Sequence, residues 1–248
     1  DNNTAVGTSA LGANTSGAAN TAVGRQALKT NTSGDNNTAV GHLAMTTHTT
    51  ASYNTAVGAL VLTANTGEEN TAIGYAALDA NTTGAKAVAV GSQALGANTT
   101  GAQNIGIGYN AAGANTTGTR NLAIGYQAYD ASDTENDNIA IGYAAMTTNT
   151  AGGQFNVAVG NYAMDALTSG DNNTAVGYEA LSANTTAISN TAFGHTALAS
   201  TLVGGYNTAV GYEALNQNLA ANNTAVGVYA LKANTTGTRN IAIGHAAY

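Results

Sequence analysis

The sequence repeats a short unit with a period of 17 residues along its whole length. A glycine that closes the unit Asn-Thr-Ala-Val-Gly marks the period, and 15 copies of it are separated by 17 residues, apart from two intervals of 16 and one of 18. A period this regular restricts the chain to architectures in which one small unit packs on its neighbours. The marker glycines are Gly7, Gly24, Gly41, Gly58, Gly74, Gly91, Gly108, Gly125, Gly142, Gly160, Gly177, Gly194, Gly211, Gly227 and Gly244.

The residues within one unit favour a β-strand over a helix. The consensus N-T-A-V-G-Y-x-A-L-x-A-N-T-T-G-x-x is too short for a helix pair and does not follow a heptad. Alternating Val, Ile, Thr and Ala bounded by Asn and Gly is typical of a short strand. The repeat therefore predicts an all-β fold, a parallel β-solenoid or β-roll of about 15 coils of 17 residues. No segment departs from the pattern, so residues 1–248 are predicted to form a single repeat domain, a segment of a longer fibre.

The composition argues against several classes of function. Charged residues make up 8% of the chain, and Pro, Cys and Trp are absent. So few ionisable groups make an enzyme improbable, and we expect neither a catalytic site nor a cofactor. The net charge is -7 with only six basic residues, which argues against a nucleic-acid partner. The apolar runs are too short to span a bilayer, so no membrane contact is predicted for this segment.

Glycine and asparagine recur at fixed places, and each is assigned a role. Marker glycines and a second set of glycines are expected at turns that need a positive φ. A recurrent Asn is expected to stack from coil to coil as an amide ladder. The second glycines are Gly17, Gly34, Gly84, Gly101, Gly118, Gly152, Gly170, Gly204 and Gly237. The ladder residues are Asn14, Asn31, Asn65, Asn81, Asn98, Asn115, Asn149, Asn184, Asn218 and Asn234.

Neighbouring side chains of a strand point to opposite faces, which predicts one inward and one outward set. The first strand position is Thr in nine copies and Val, Ile or Leu in six, so we expect it to point into the coil. The middle position is Ala in 14 copies and Gly in one, which predicts a small-residue face where other chains pack closely. The predicted packing residues are Ala5, Ala22, Ala39, Ala56, Ala72, Ala89, Gly106, Ala123, Ala140, Ala158, Ala175, Ala192, Ala209, Ala225 and Ala242.

Aromatic residues and histidines follow the marker glycine in nine copies and are predicted to form one exposed row. Aromatic side chains offer apolar area and a polar edge to a ligand. His48 lies outside this position. The predicted ligand-binding row is Tyr75, Tyr109, Tyr126, Tyr143, Tyr178, Tyr212, His42, His195 and His245.

One acidic stretch, residues 130–137, contains carboxylates at intervals that could ligate Ca²⁺. It lacks the glycine and the distal glutamate of a calcium loop, so we favour a solvated turn and predict no metal site. Asn-x-Ser/Thr triplets such as Asn81 to Thr83 match glycosylation acceptors. They recur as part of the coil, so we interpret them first as ladder residues.

Units such as residues 121–125, 138–142, 156–160 and 240–244 resemble the x-V-A-I-G repeats of YadA-like heads in trimeric autotransporter adhesins. The longer unit N-T-A-V-G-Y-x-A-L-x-A-N-T-T-G is similar to repeats of bacterial and phage tail fibres. The resemblance covers the whole chain, although the period is longer than in the adhesin heads. It implies a homotrimer of left-handed β-rolls that is extracellular, on a cell surface or a virion.

Three non-enzymatic functions follow from these observations. The first is a structural and adhesive fibre that presents the aromatic residues and histidines to a host-surface glycan or matrix protein. The second is an ice-binding solenoid, in which Thr pairs such as Thr82-Thr83 and Thr99-Thr100 order water. Adjacent Thr residues in a strand would point to opposite faces, which weakens this alternative. The third is a self-assembling extracellular filament, because neither end carries a polar capping repeat.

Overall fold

The computed structural model describes residues 2–149 and 152–248, and it confirms the predicted all-β solenoid. Fifteen parallel strands, each of three residues, form about 14 turns with a spacing near 17 residues. The described ranges contain no helix, and hence none that could cross a membrane. The strands are β1 (Thr4–Val6), β2 (Thr21–Val23), β3 (Thr38–Val40), β4 (Thr55–Val57), β5 (Thr71–Ile73), β6 (Val88–Val90), β7 (Ile105–Ile107), β8 (Leu122–Ile124), β9 (Ile139–Ile141), β10 (Val157–Val159), β11 (Thr174–Val176), β12 (Thr191–Phe193), β13 (Thr208–Val210), β14 (Thr224–Val226) and β15 (Ile241–Ile243).

The chain divides into two compact units, Asp1–Asn121 and Leu122–Tyr248. The first unit contains β1 to β7 and the second contains β8 to β15. Within each unit every strand pairs in parallel with the next along the chain, and equivalent residues lie opposite one another. Ala22 faces Ala39 in the first unit, and Ala175 faces Ala192 in the second. This exact register explains why the sequence period is so strict.

The interior of each coil is narrow and is filled mainly by small side chains. The middle residue of the strand, the Ala three places after the marker glycine and the Leu four places after it are buried together. Ala22, Ala27 and Leu28 form such a set, with no exposed surface. Met45, Met146 and Met164 replace the leucine in three coils and are equally buried. The core is therefore a column of repeated residues, each packed against its copies in the next coil.

The predicted direction of the strand side chains is wrong. The middle residues of β2 to β14 are buried inside their own coil, whereas the flanking first and third residues are half-buried or exposed. An interior this narrow admits Ala, and the β-branched residues turn outward. The first and third residues of the strands form what we call the sheet face. Because the alanines lie inside the coil, they do not form a surface on which sister chains could pack. The corrected residues are Ala22, Ala39, Ala56, Ala72, Ala89, Gly106, Ala123, Ala140, Ala158, Ala175, Ala192, Ala209, Ala225 and Ala242, whereas Ala5 in β1 is exposed.

The predicted amide ladder is present in several successive coils. Asn98 donates from Nδ2 to Asn81 Oδ1 at 2.8 Å and to the Gly101 carbonyl at 2.9 Å. A second ladder, formed by the Asn of the N-T-A-V-G unit, was not predicted. Asn37 accepts the backbone N–H of Asn54 at Oδ1 (3.0 Å) and donates from Nδ2 to the Ala51 carbonyl at 2.9 Å. The two ladders pair most of the amide groups that the narrow core buries, apart from Oδ1 of Asn31, Asn115 and Asn149.

The two sets of glycines serve different purposes. Marker glycines adopt a positive φ, as predicted, and Gly91 at +135° is representative. A Cβ on Gly91 would lie 2.4 Å from the carbonyl oxygen of Gly108. The prediction of positive φ is wrong for second glycines such as Gly101, although Gly152 has φ +106°. At Gly101 the approach is close instead, since a Cβ would meet the Gly118 carbonyl oxygen at 2.3 Å and Asn98 Oδ1 at 2.5 Å.

Left-handed backbone is frequent at residues other than glycine. Most coils place three such residues at positive φ, namely the second and fourth residues after the marker glycine and the residue before the strand Asn. Gln93, Leu95 and Gln103 have φ values of 59°, 51° and 60°. Their N–H groups donate to carbonyls of adjacent coils, for example Gln93 to Tyr75 at 2.9 Å and Leu95 to Ala111 at 3.0 Å. These bonds between coils compensate for the cost of the left-handed conformation.

Candidate functional site

The residues after the marker glycines lie on the surface, as expected for a row that contacts a ligand. The strand ends at the residue before the glycine, and the turn then carries the next side chain outward. Tyr75 is 55% exposed and Tyr212 is 41% exposed. His42, His195 and His245 are also exposed. The structure therefore places all nine predicted residues on the surface, although it does not bring them all together.

In the second unit the predicted residues form a continuous row with two tyrosines that the sequence analysis missed. Ring centroids of successive members are 5.2 to 6.0 Å apart. We call this set the aromatic row. Its members are Tyr126, Tyr143, Tyr162, Tyr178, His195, Tyr212, Tyr229 and His245.

The two missed members, Tyr162 and Tyr229, come two residues after the marker glycine. In these coils the first place after the glycine is Asn161 or Val228, and the ring has moved by one residue. Both tyrosines adopt a positive φ, 58° and 60°, as residues at this place do in the other coils, and both rings contact the rings of adjacent coils. The sequence therefore held a usable signal in the second unit, where a tyrosine follows each of the two residues that replace the expected aromatic residue or histidine.

The rings of the aromatic row cover one another in two ways. Tyr126 and Tyr143 are stacked with an interplanar angle of 6°, and His195 is stacked between Tyr178 and Tyr212 at 22° and 24°. Tyr162 and Tyr229 instead meet their neighbours edge to face, at angles of 67° to 83°. Most ring faces inside the stacks are thus occupied by other rings, and the row presents edges and hydroxyl groups to a ligand.

In the first unit, the predicted residues His42, Tyr75 and Tyr109 are not on successive coils. The intervening copies carry Ala59 and Ser92 after the marker glycine. The ring of His42 instead has a charged neighbour, since Arg25 Nη2 lies 2.9 Å from His42 Nε2. The continuous arrangement of rings described for the second unit therefore does not extend through β1 to β7.

A shallow groove in the second unit combines members of the aromatic row with two carboxylates. Tyr162, Asp165, Tyr178, Glu179 and Ser182 line what we call the tyrosine groove. Partial burial, followed by the charge of Glu179, raises the pKa of Asp165. A hydrogen bond to Glu179, together with the charge of that carboxylate, raises the pKa of Tyr178. The groove is therefore a polar site of negative charge beside two aromatic rings.

A second cluster in the same unit holds a lysine on similar groups. Lys232 Nζ lies 2.5 Å from Glu213 Oε2 and 4.7 Å from the ring centroid of Tyr229. The hydrogen bond from Lys232 lowers the pKa of Glu213, and the same bond raises the pKa of the lysine. Glu213 also accepts a hydrogen bond from the Tyr212 hydroxyl, which raises the pKa of Tyr212. In this cluster a carboxylate and a ring of the aromatic row together hold an ammonium group of the same chain.

The acidic stretch uses its most buried carboxylate to hold its own loop. Glu135 is only 3% exposed and stands where other coils have the second glycine. Its Oε2 accepts hydrogen bonds from Ser132 Oγ at 2.7 Å and from the N–H of Asp133 and Thr134 at 3.0 Å. Among the described residues, no group of three or more His, Cys, Asp or Glu side chains is arranged to hold a metal ion.

Two buried aromatic or imidazole groups replace regular core residues. Tyr129 stands at the leucine position with no exposed surface, and its hydroxyl accepts a hydrogen bond from Asn138 Nδ2 at 2.6 Å. Burial strongly raises the pKa of Tyr129. His48 stands at the position of the first ladder and is fully buried, which lowers its pKa. Its ring nitrogens face the carbonyls of Asn65 (3.2 Å) and Ala51 (2.7 Å).

The threonine pairs of the ice-binding alternative lie in turns and do not present two free hydroxyls. In each of several coils the first Thr of the pair donates its hydroxyl to a carbonyl of the next coil. Thr82 Oγ1 donates to the Thr99 carbonyl at 2.9 Å, and Thr99 Oγ1 to the Thr116 carbonyl at 3.0 Å. The first Thr therefore links coils, and the second one of each pair is exposed.

In comparisons with known proteins, no family model matches the sequence and no curated protein matches it. Function must therefore be argued from the surfaces of the two units.

Proposed function

We propose that the chain is a non-enzymatic, structural and adhesive fibre segment that works as an extracellular homotrimer. The observation that carries the proposal is the sheet face, a surface rich in Val, Ile and Thr along each unit. Ile73 is 40% exposed, Phe193 is 56% exposed and Val226 is 37% exposed. A repeated row of partly exposed apolar side chains, as at the third strand position, is typical of a region that another chain covers.

Sister chains are the occupants that we propose for the sheet face. Rows of Val and Ile at the third strand position are repeated at equal spacing within each unit, so an identical chain can match them coil by coil. The resemblance to adhesin heads and tail fibres supports three copies. The proposal replaces the buried alanines with the first and third strand residues as the packing surface.

The aromatic row supports the adhesive part of the proposal. It lies after the strands and is separate from the sheet face in sequence position, so it can remain accessible in an assembly. Its ring edges and hydroxyls suit a polar ligand such as a glycan or a matrix protein. The histidines and tyrosines of the row are the residues that we expect to contact this ligand.

Light scattering on the purified full chain tests the assembly. We expect three times the chain mass for the native sequence. The double variant Ile141→Lys/Val159→Lys places two charges on the sheet face and should give single chains, because an unpaired buried charge is strongly unfavourable. Thr186→Lys, on an exposed turn, is the matched control and should stay trimeric. A native chain that is monomeric at micromolar concentration overturns the proposal.

An ice-binding solenoid is the second candidate, and the sheet face is the observation that favours it. In β2 to β4 the outward residues are Thr and Val only, which form two parallel rows. Such rows could order water if the face stays uncovered. An ice-recrystallisation assay on the single chain, with Thr38→Lys as the variant, separates the candidates. Inhibition that Thr38→Lys abolishes supports ice binding, and no inhibition by a monomeric chain rejects it.

A further inference from the structure

The tyrosine groove contains the same kinds of groups that bind Lys232. Lys232 is the fifth residue after its marker glycine, and the residue at the same place in the groove is the acidic Asp165. In the lysine cluster, one coil supplies Tyr212 and Glu213, and an adjacent coil supplies Tyr229 and Lys232. In the groove, one coil supplies Tyr178 and Glu179, and an adjacent coil supplies Tyr162 and an aspartate, Asp165, at the lysine position. The coil order is reversed, but each residue has the same place relative to its marker glycine.

The substitution of an acid for the lysine changes the charge of the site. Lys232 neutralises Glu213 in the lysine cluster, whereas Glu179 in the groove has a second carboxylate, Asp165, as its neighbour. Repulsion between these two groups contributes to the raised pKa of Asp165. A cation placed between the carboxylates relieves the repulsion and makes charge-assisted hydrogen bonds.

The rings define the shape of the cation that fits. Tyr162 and Tyr178 meet edge to face, with centroids 6.0 Å apart and an angle of 83°. The two rings are not stacked, unlike Tyr126 on Tyr143, and both of them line the groove. Lys232 shows that an ammonium on a flexible alkyl chain uses such a surface, since it lies over the Tyr229 ring and on a glutamate at once.

We infer that the tyrosine groove binds the ammonium group of a lysine side chain on a partner protein. Asp165 and Glu179 hold the ammonium, and the rings of Tyr162 and Tyr178 pack on its alkyl chain. The inference rests on the proposed adhesive role and names a partner chemistry for one site in the aromatic row. Its test is binding, which is independent of the light-scattering test, so failure of one is distinguishable from failure of the other.

The test is an NMR titration of the full chain, with ¹³C-labelled tyrosine rings, against Nα-acetyl-lysine methylamide. We expect the ring resonances of Tyr162 and Tyr178 to shift, and added salt to weaken binding. The same compound acetylated on its side-chain nitrogen should leave these resonances unchanged. Glucosamine is the third probe, and tighter binding of this amino sugar than of the lysine compound overturns the assignment to lysine.

Variants then identify the groups that bind. Asp165→Asn and Glu179→Gln should each weaken binding by up to about five-fold, the upper limit for one exposed ion pair. Asp165→Lys should abolish binding, because the new ammonium occupies the groove itself. Glu68→Gln removes the same charge from an exposed turn of the first unit and is the control. Equal loss in this control, or full binding by folded Asp165→Lys protein, overturns the inference.

Discussion

Single residues in the core of this protein are constrained mainly by what lies one coil away. The ladder position illustrates the effect, because Asn31 Oδ1 is buried and has no hydrogen-bond partner. The next coil carries His48 at that place, and its ring nitrogens face Ala51 and Asn65 instead. Asn149 Oδ1 is likewise buried and unpaired, and the next coil carries Leu167 in place of the ladder asparagine. Each interruption leaves an acceptor without its donor.

We predict that His48→Asn stabilises the protein by about 1–2 kcal/mol at pH 7, because it restores a donor for Asn31 Oδ1. The variant should also lose a pH dependence. Burial lowers the folded pKa of His48 below its ordinary value of 6.5, so the native protein should lose stability as the pH falls below 6.5. Thermal unfolding midpoints at pH 5, 6 and 7.5 measure both effects. His42→Asn, at an exposed histidine outside the aromatic row, is the control, and a lower midpoint for His48→Asn at pH 7.5 would contradict the prediction.

We predict that Gly91→Ala destabilises the first unit by roughly 2–4 kcal/mol, whereas Gly96→Ala in the same coil has little effect. Gly91 has φ +135°, and its added Cβ would lie 2.4 Å from a backbone carbonyl oxygen. At Gly96 the nearest atom is 3.2 Å away, and equivalent positions in other coils carry Ser182 and Lys232. Urea unfolding of the two variants provides the comparison. Equal loss would show that the close approach at Gly91 does not matter.

At the scale of elements, the aromatic row is a structural element of the second unit, built from rings on successive coils. Tyr162 contacts Tyr143 at 5.3 Å and Tyr178 at 6.0 Å, so its ring supports two neighbours although it is on the surface. Edge-to-face contacts between aromatic rings stabilise proteins beyond the area that they bury. The row therefore contributes to the stability of the coils as well as to the surface available to a ligand.

We predict that Tyr162→Ala lowers the thermal midpoint by about 2–4 °C, more than Tyr206→Ala does. Both tyrosines have φ 58°, so the change in backbone preference is the same. Tyr206 is 59% exposed and lies outside the aromatic row. Circular dichroism during heating measures the midpoints. A larger effect at Tyr206 would mean that ring contacts along the row contribute nothing.

The period predicted the strands and their register, but it could not predict which side of a strand faces inward. Thr21 and Val23 have a higher β-propensity and larger side chains than Ala22, so the sequence favoured an interior filled by these larger residues. The interior of one coil is too narrow for this choice, and width is a property of the closed coil that the strand residues alone do not reveal. The left-handed backbone of Leu28, with φ 48°, was equally unpredictable, because a leucine gives no local indication of this conformation.

The row was predictable in part, for a different reason. Residues after the marker glycine were correctly expected on the surface, because that position varies while the core positions do not. Tyr162 and Tyr229 were missed because the pattern was read at a single position. The tyrosine groove and the lysine cluster depend on which residues of adjacent coils come together, and only the fold displays those pairs.

At the scale of the whole molecule, each 17-residue repeat forms one coil, and the coils within each compact unit are structurally equivalent. Equivalent residues lie opposite one another, so a segment of one full period can be removed without changing which residue types face each other. A segment of half a period cannot be removed in this way, because its deletion would place strand residues opposite turn residues. The strict register of β4 with β5 and of β5 with β6 illustrates the requirement.

We predict that deletion of residues 75–91, one full repeat, leaves a folded protein with an unchanged β-type circular dichroism spectrum per residue. Deletion of residues 75–83 should abolish cooperative unfolding of the first unit, because the register of the following coils is lost. Hydrogen exchange of the amides of β7, which follows both deletions in the first unit, measures whether the following coils stay protected. A folded half-repeat variant with native protection would contradict this account.

The left-handed residues in nearly every coil have a kinetic consequence. An isolated coil must hold residues such as Gln93 and Leu95 in a conformation that L-amino acids avoid, without the carbonyls of Tyr75 and Ala111 that bind their N–H groups. A finished coil supplies those partners in position. Folding should therefore begin with a rare nucleus of adjoining turns. It should then spread by templating, because each completed turn supplies the hydrogen-bond partners that the next one needs.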